Sequence, residues 1–357
     1  MSFGLRIEDN LNGNVKNNMK IKEEKMKKFV ICLMLFISVF VLCAQAEEYP
    51  TKSISVIIHS SAGGGSDMWA RKVSGIMEKN LGVKMVCTNK PGGKGGIGAN
   101  FVWNSRHDGY TILGASETSM TYGVNGACEK TAKFWNFYIS AGSPGVIAVL
   151  KDSPFETFED FIEAAKDKPE TIKVSNAGIG KLWHLKAEMF KKYGGIPIKH
   201  SPYNGSAPAI VALLSKEVDA VSCSAGEVGS YIESGEMRPL VMTEKDPFNF
   251  PGYGEAPPIT KFLPQLSKYL PMSQFLCLMV PKDTPQEILN RLGVAFEYVM
   301  QTEDMAEFIK MQNATKYGLW GQPANEMAIE MEKKFSWFAK ELGIIKVDPE
   351  ELGIEKP

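Results

Sequence analysis

Two short turns hold the residues whose types and spacing could do chemistry. The first comprises Ser60, Ser61, Ala62, Gly63, Gly64, Gly65, Ser66 and Asp67, and it follows the apolar run Ile54, Val56, Ile57, Ile58. The second runs from Asn176 through Gly178, Ile179 and Gly180 to Lys181, with His184 shortly after. Each turn separates a strand-like segment from a helix-like one. A helix N-terminus presents unpaired N–H groups and about half a positive charge. Glycine lets the backbone approach a ligand closely, so several N–H groups can converge on one anion. Two such turns, one per domain, could grip a small anion across a cleft. The plain alternative is that the glycines only permit tight turns.

Other chemistries find no support. A G-x-S-x-G elbow is absent from the sequence. The four histidines, His59, His107, His184 and His200, have no H-x-x-x-H spacing, and no acidic loop has calcium spacing. Gly93 to Gly98 fits G-x-G-x-x-G, but it follows the second strand rather than the first. Gly180-Lys181 resembles the end of a phosphate loop, yet Leu182 stands where Ser or Thr is required. No enzyme, cofactor or metal is therefore expected.

The elements that must position the turns follow an alternating pattern. "SISVIIH", "VKMVCTN" and "YTILGAS" read as strands, with a helix from Ser66 to Asn80 and another after the Gly93 turn. Thr157 with Asp160 resembles a capping box; "TIKVSNAG" and "VDAVSCS" are strands. His184 to Tyr193 is helical, and Pro208 sits in the first turn of a further helix. Thr284, Pro285 and Glu287 predict a capped helix start, followed by helices near Glu303–Gln312 and Ala324–Leu342. Strands alternating with helices imply an α/β fold with parallel sheets.

The chain has 357 residues, 44% hydrophobic and 23% charged, with net charge -1, enough for two cored domains. Nothing basic points to nucleic acid. Lys20, Lys22, Lys25, Lys27 and Lys28 precede the uncharged run Phe29 to Cys43 and then Ala44-Gln45-Ala46. That order predicts a secretory signal cleaved near Ala46. Outside the cytoplasm, nucleotide ligands are scarce. Cys87, Cys128, Cys223 and Cys277 remain after cleavage, and buried free thiols are expected.

"AGGGSDMWARKV", "NKPGGKGGIGANFV", "DGYTILGAS", "SPYNGSAPAIVALLSKEVDAV" and "LMVPKDTP" occur in that order. Together they resemble the substrate-binding receptors of tripartite tricarboxylate transporters, the Bug-type family, from Tyr49 to about Leu342. The resemblance implies a periplasmic binding protein type 2-like fold: two α/β lobes joined by a hinge, a Venus flytrap. It implies a segment 1–46 that is lost, one lobe from 47–145 with 274–357, and a second lobe from 146–273. It implies a monomeric, non-enzymatic periplasmic receptor that gives a small carboxylate to a two-subunit membrane permease. A secreted carboxylate sensor acting in signalling is the alternative.

By the same resemblance, Ser60 to Asp67 form one ligand loop, and Asn176 to Lys181 with His184 the other. Ser116, Tyr203 and Ser224 are flanking wall candidates. The family's first loop reads close to P-F-A-P-G-G-G-T-D; here His59, Ser60, Ser61 and Ala62 occupy its first four positions. Lys181 stands where a small hydroxyl residue is common. Asp67 is expected to serve the helix dipole rather than the ligand.

Overall fold

The run Ile54–Ile58 is almost wholly buried, as a strand flanked by neighbours on both edges must be. The computed structural model describes residues 22–30, 49–270, 272 and 274–357. Residues 22–30 are helical and exposed. Most of the apolar run beyond them, and the expected cleavage site, lie outside the described residues. No helix among the described residues is long and apolar enough to cross a membrane.

Lys52 to Pro357 form a single compact unit containing two large sheets. β1 (Ile54–Ile58) pairs in parallel with β2 (Met85–Asn89) and β3 (Thr111–Ser116). α1 (Gly65–Leu81) and α2 (Gly96–Trp103) connect them. β4 (Trp135–Gly142), β12 (Leu276–Pro281) and β13 (Thr315–Trp320) complete a six-stranded sheet in the order β13-β4-β12-β3-β1-β2. β12 is antiparallel to both its neighbours, so the parallel expectation holds for only half of this sheet.

The second sheet has the order β7-β6-β8-β5-β9. Its strands are β5 (Gly145–Leu150), β6 (Lys173–Asn176), β7 (Lys199–Pro202), β8 (Ala220–Ser224) and β9 (Met237–Met242). α3 (Phe158–Asp167), α4 (Leu182–Gly194), α5 (Ser206–Leu214) and α6 (Ala225–Glu233) connect them. β10 (Phe248–Phe250) and β11 (Gly254–Ala256) form a hairpin in the Pro-rich stretch. α7 (Gln286–Gln301), α8 (Glu303–Met311) and α9 (Gln322–Glu341) lie C-terminal to β12. The mixed α/β architecture with two sheets is thus the one expected.

Local signals succeeded where the cap forms. Thr157 and Asp160 make a full capping box at α3. Thr284 does not cap α7: the helix starts after Pro285 and the buried Thr284 hydroxyl has no partner. Proline cannot donate the Ncap-side bond that a box needs, so the expected cap is corrected. Cys87, Cys128, Cys223 and Cys277 are free thiols, three buried and one half-buried.

The chain passes from one sheet to the other between Gly142 and Gly145 and returns before Leu276. The two passages touch. Ser143 N–H donates to Gln274 Oε1 at 3.1 Å. A Cβ on Gly142 would lie 1.9 Å from the Gln274 carbonyl oxygen.

Candidate functional site

The end of β1 delivers His59 and Ser60 into a small cleft between the two sheets, and the first turn follows. Ser60, Ser61, Gly64, Gly65, Ser66, Ser116 and Lys181 line the cleft, together with His59, Glu117, Ala177, Trp183 and Glu227. It encloses about 30 Å³ in this conformation, roughly the share of one water molecule.

Hydrogen bonds close it from both sides. Gly65 N–H, at the start of α1, donates to Glu227 Oε1 of α6 at 2.8 Å. Ser61 Oγ donates to the Asn204 carbonyl at 2.5 Å. The Gly180 carbonyl accepts from Thr121 Oγ1 at 2.9 Å and from Asn125 Nδ2 at 3.1 Å. Lys94, from the G-x-G-x-x-G segment, donates to Asn125 Oδ1 at 2.8 Å. That segment therefore braces the second turn from the opposite sheet.

The second turn needs its glycines. Gly178 and Gly180 have φ of +125° and +78°, left-handed values that side chains resist. A Cβ on Gly180 would meet Asn125 Oδ1 at 2.4 Å. Lys181 then caps α4 from extended backbone.

Several expected site residues stand outside the lining of this cleft or are engaged in other bonds. Ala62 and Gly63 are exposed and outside the cleft lining. Asp67 turns away: its oxygens accept from Gly63 N–H, Arg71 Nε and Asn89 Nδ2. It thus serves the helix start, as its first-turn position implies. Asn176 is fully buried and its Oδ1 accepts from Gly178 N–H, holding the turn. Gly178, Ile179 and Tyr203 line an outer groove with Lys94. The Tyr203 hydroxyl donates to Glu217. Gly180 acts through its carbonyl to the opposite sheet. Ser224 makes a capping box with Glu227 at α6. Its hydroxyl is spent there.

His184 lies behind the turn, its Nδ1 accepting from Gly180 N–H at 3.3 Å. With Glu188 and His200 it forms a cluster whose ligand atoms lie within 4.8 Å of one another. The count would suit a metal ion. The bond from Gly180 places the His184 proton on Nε2, which faces Glu188 at 3.6 Å. Metal binding at Nε2 would move that proton to Nδ1, where Gly180 N–H already donates, so the trio fits a packed His–Glu–His contact better than a metal centre. β7 brings in His200, which is why linear spacing concealed the cluster.

Two acids in the cleft were not foreseen. Glu117 is 2% exposed and its Oε2 has no hydrogen-bond partner. Burial raises its pKa to about 8, with nearby Glu227 adding to the rise. Glu227 was legible only as the acid three residues after Ser224, an S-x-x-E capping pattern. Burial depresses Lys181 below the usual lysine range, and Glu117 opposes that. No hydrogen bond or salt bridge to the Lys181 ammonium is present among the described residues. His59 is lowered to about 3 by burial and by Lys181, so it is neutral. Its Nε2 faces Ser66 Oγ at 3.1 Å.

These shifts set a pH profile. Burial also raises Glu332, of α9, to about 7 and lowers His184 to about 4. Glu117 and Glu332 hold protons in the folded state that the unfolded chain releases above the ordinary glutamate range. Their contribution is full below about pH 4.5 and is lost as pH rises through 7 and 8. His59 and His184 do the reverse: their contribution is full above about 6.5 and is lost as pH falls through 4 and 3. Melting temperature should therefore plateau between about pH 4.5 and 6.5 and decline on both sides. A monotonic rise from pH 5 to 8 would contradict this balance.

The mixed α/β fold with its two sheets is that of periplasmic binding proteins. A TctC solute-binding protein from Polaromonas superposes with TM-score 0.60 at 26% identity, covering 82% of this chain and 99% of that one. A Rhodopseudomonas palustris protein solved with adipate superposes with TM-score 0.74 at 23% identity, covering 84% and 100%. Protein BugT of Bordetella pertussis is 27% identical, covering 81% of this chain and 90% of BugT. The tripartite tricarboxylate transporter family receptor profile matches residues 69–344. The chain belongs to that receptor family.

Proposed function

We propose that this chain is an extracytoplasmic receptor that binds a small organic carboxylate in the cleft and hands it to a tripartite-type membrane permease of two integral subunits. The observation that carries the reading is Lys181. Lys181, a largely buried residue whose ammonium has no ion-pair partner among the described residues, stands at a helix start and lines the cleft between the two sheets. Such a group is costly unless a ligand anion answers it. The protein solved with adipate, similar in fold, supports a carboxylate guest.

The same proposal includes two lobes, 47–145 with 274–357 and 146–273, that part and close about the paired passages near Gly142 and Gln274. Ser60, Ser61, Gly64, Gly65, Ser66 and Ser116 form the wall opposite Lys181. Export by a signal cleaved near Ala46 completes it. Closure around the ligand creates the form that the permease reads.

Thermal-shift titration against mono-, di- and tricarboxylates tests this. A carboxylate should raise the melting temperature, and Lys181→Ala should weaken its binding by about tenfold or more. If sugars or simple cations stabilised the protein while no acid did, the reading would fail.

A further inference from the structure

We propose that this chain carries a second ligand site, separate from the cleft, that takes a free amphiphilic monoanion: an apolar chain ending in one sulfonate, carboxylate or phosphate head. The site is a surface cavity beside the C-terminal half of α9.

The cavity measures about 570 Å³ and shares no lining residue with the cleft. That volume is typical of small-molecule pockets, which combine apolar and aromatic walls with a few polar groups. Phe335, Trp337 and Phe338 come from α9, and Tyr269, Leu270 and Met272 from the stretch that leads back to β12. Phe335 and Phe338 are three residues apart on the helix and so share a face; Lys334, four before Phe338, falls beside it. Leu270, Met272, Phe335 and Phe338 are buried, while Tyr269 and Trp337 are half-buried. The base of the cavity is therefore apolar and largely aromatic.

The rim is cationic. Lys334, Lys340 and Lys356 line it, with Glu341 and Pro357. Lys340 is answered by Asp348 and Glu350. The Glu341 carboxylate accepts from the Tyr193 and Tyr269 hydroxyls, and its carbonyl accepts from Lys192. Lys334 and Lys356 are exposed, and among the described residues no carboxylate lies within salt-bridge distance of either. The Lys356 ammonium stands 5.5 Å from the centre of the Trp337 ring, at the edge of the apolar base. One anionic head at the rim meets two ammonium groups. Its tail meets the aromatic base, which a short acid would leave empty. A neutral chain would fill the base and leave both lysines to water.

Calorimetry on the mature chain with hexane-1-sulfonate, octane-1-sulfonate and octan-1-ol tests the proposal. Octane-1-sulfonate should bind about tenfold more tightly than hexane-1-sulfonate, because two more methylenes are buried. It should bind about fivefold more tightly than octan-1-ol, the share of the two surface lysines. Lys334→Glu with Lys356→Glu changes exposed positions only, so the chain should fold normally, keep octan-1-ol and lose the preference for the anion. Lys181→Ala should leave octane-1-sulfonate binding unchanged. Binding should alter Trp337 emission, a change that Trp337→Phe removes without removing the binding. Failure of both sulfonates to bind saturably would overturn the proposal, as would an anion preference that survived the double change. Loss of binding in Lys181→Ala would place the amphiphile in the cleft and overturn the second site. Co-sedimentation with phosphatidylglycerol vesicles, without binding of free octane-1-sulfonate, would overturn it in favour of a membrane contact.

Discussion

Gly142→Ala is expected to lower the melting temperature by about 5 °C, a loss of roughly 3 kcal/mol. The added Cβ would lie 1.9 Å from the Gln274 carbonyl oxygen and 3.1 Å from the Tyr317 ring. The nearest obstacle is backbone, so no rotamer change relieves it. Either passage between the sheets must move, and both are tied by the bond from Ser143 N–H to Gln274 Oε1. Gly75→Ala is the control. Gly75 is exposed within α1, and a Cβ there would meet nothing within 4 Å. That change should stabilise the chain by up to about 1 kcal/mol. Equal melting temperatures for the two variants would show that the passages are looser than described.

Glu244→Ala should cost about 3 kcal/mol. Lys186, on α4, is fully buried, and its ammonium donates to Glu244 and to the Thr243 carbonyl. It lies 5.5 Å from the centre of the Trp183 ring. Glu244 also accepts from Gly145 N–H at 3.0 Å. Its removal strands a charge in the interior beside the start of β5, and the desolvation already incurred is no longer offset. The double change Lys186→Met with Glu244→Leu should recover most of the loss, because it removes the charge and its partner together. Chemical denaturation of the three variants measures both effects. A single-variant cost below about 1 kcal/mol would mean that water reaches Lys186 and does the work of Glu244.

What the sequence disclosed follows from range. The Gly-rich turns, the helix at Ser66 and the Thr157 box depend on residues within a few positions of one another, so local pattern reveals them. β4, β9 and β13 are defined by distant partners, and their apolar content alone did not announce them. The same limit governs the cleft. Lys181 and Ser116 were visible at element boundaries. Glu117 looked like an ordinary acid one place beyond Ser116, because burial by β12 and α6 is not written in its neighbours. Asp67 was placed in the loop by resemblance, but Arg71 and Asn89 draw it outward. His184 and His200 meet only because β7 lies beside β6.

The four thiols have a consequence for how such a molecule is made. Cys87, Cys128, Cys223 and Cys277 are all unpaired. Burial raises the pKa of Cys128, Cys223 and Cys277, so little reactive thiolate is present at neutral pH. The native structure from Lys52 onward therefore needs no oxidation step. The protection comes from burial, so it begins only once the thiols are enclosed, and an oxidising compartment acts on this part of the chain before folding rather than after it.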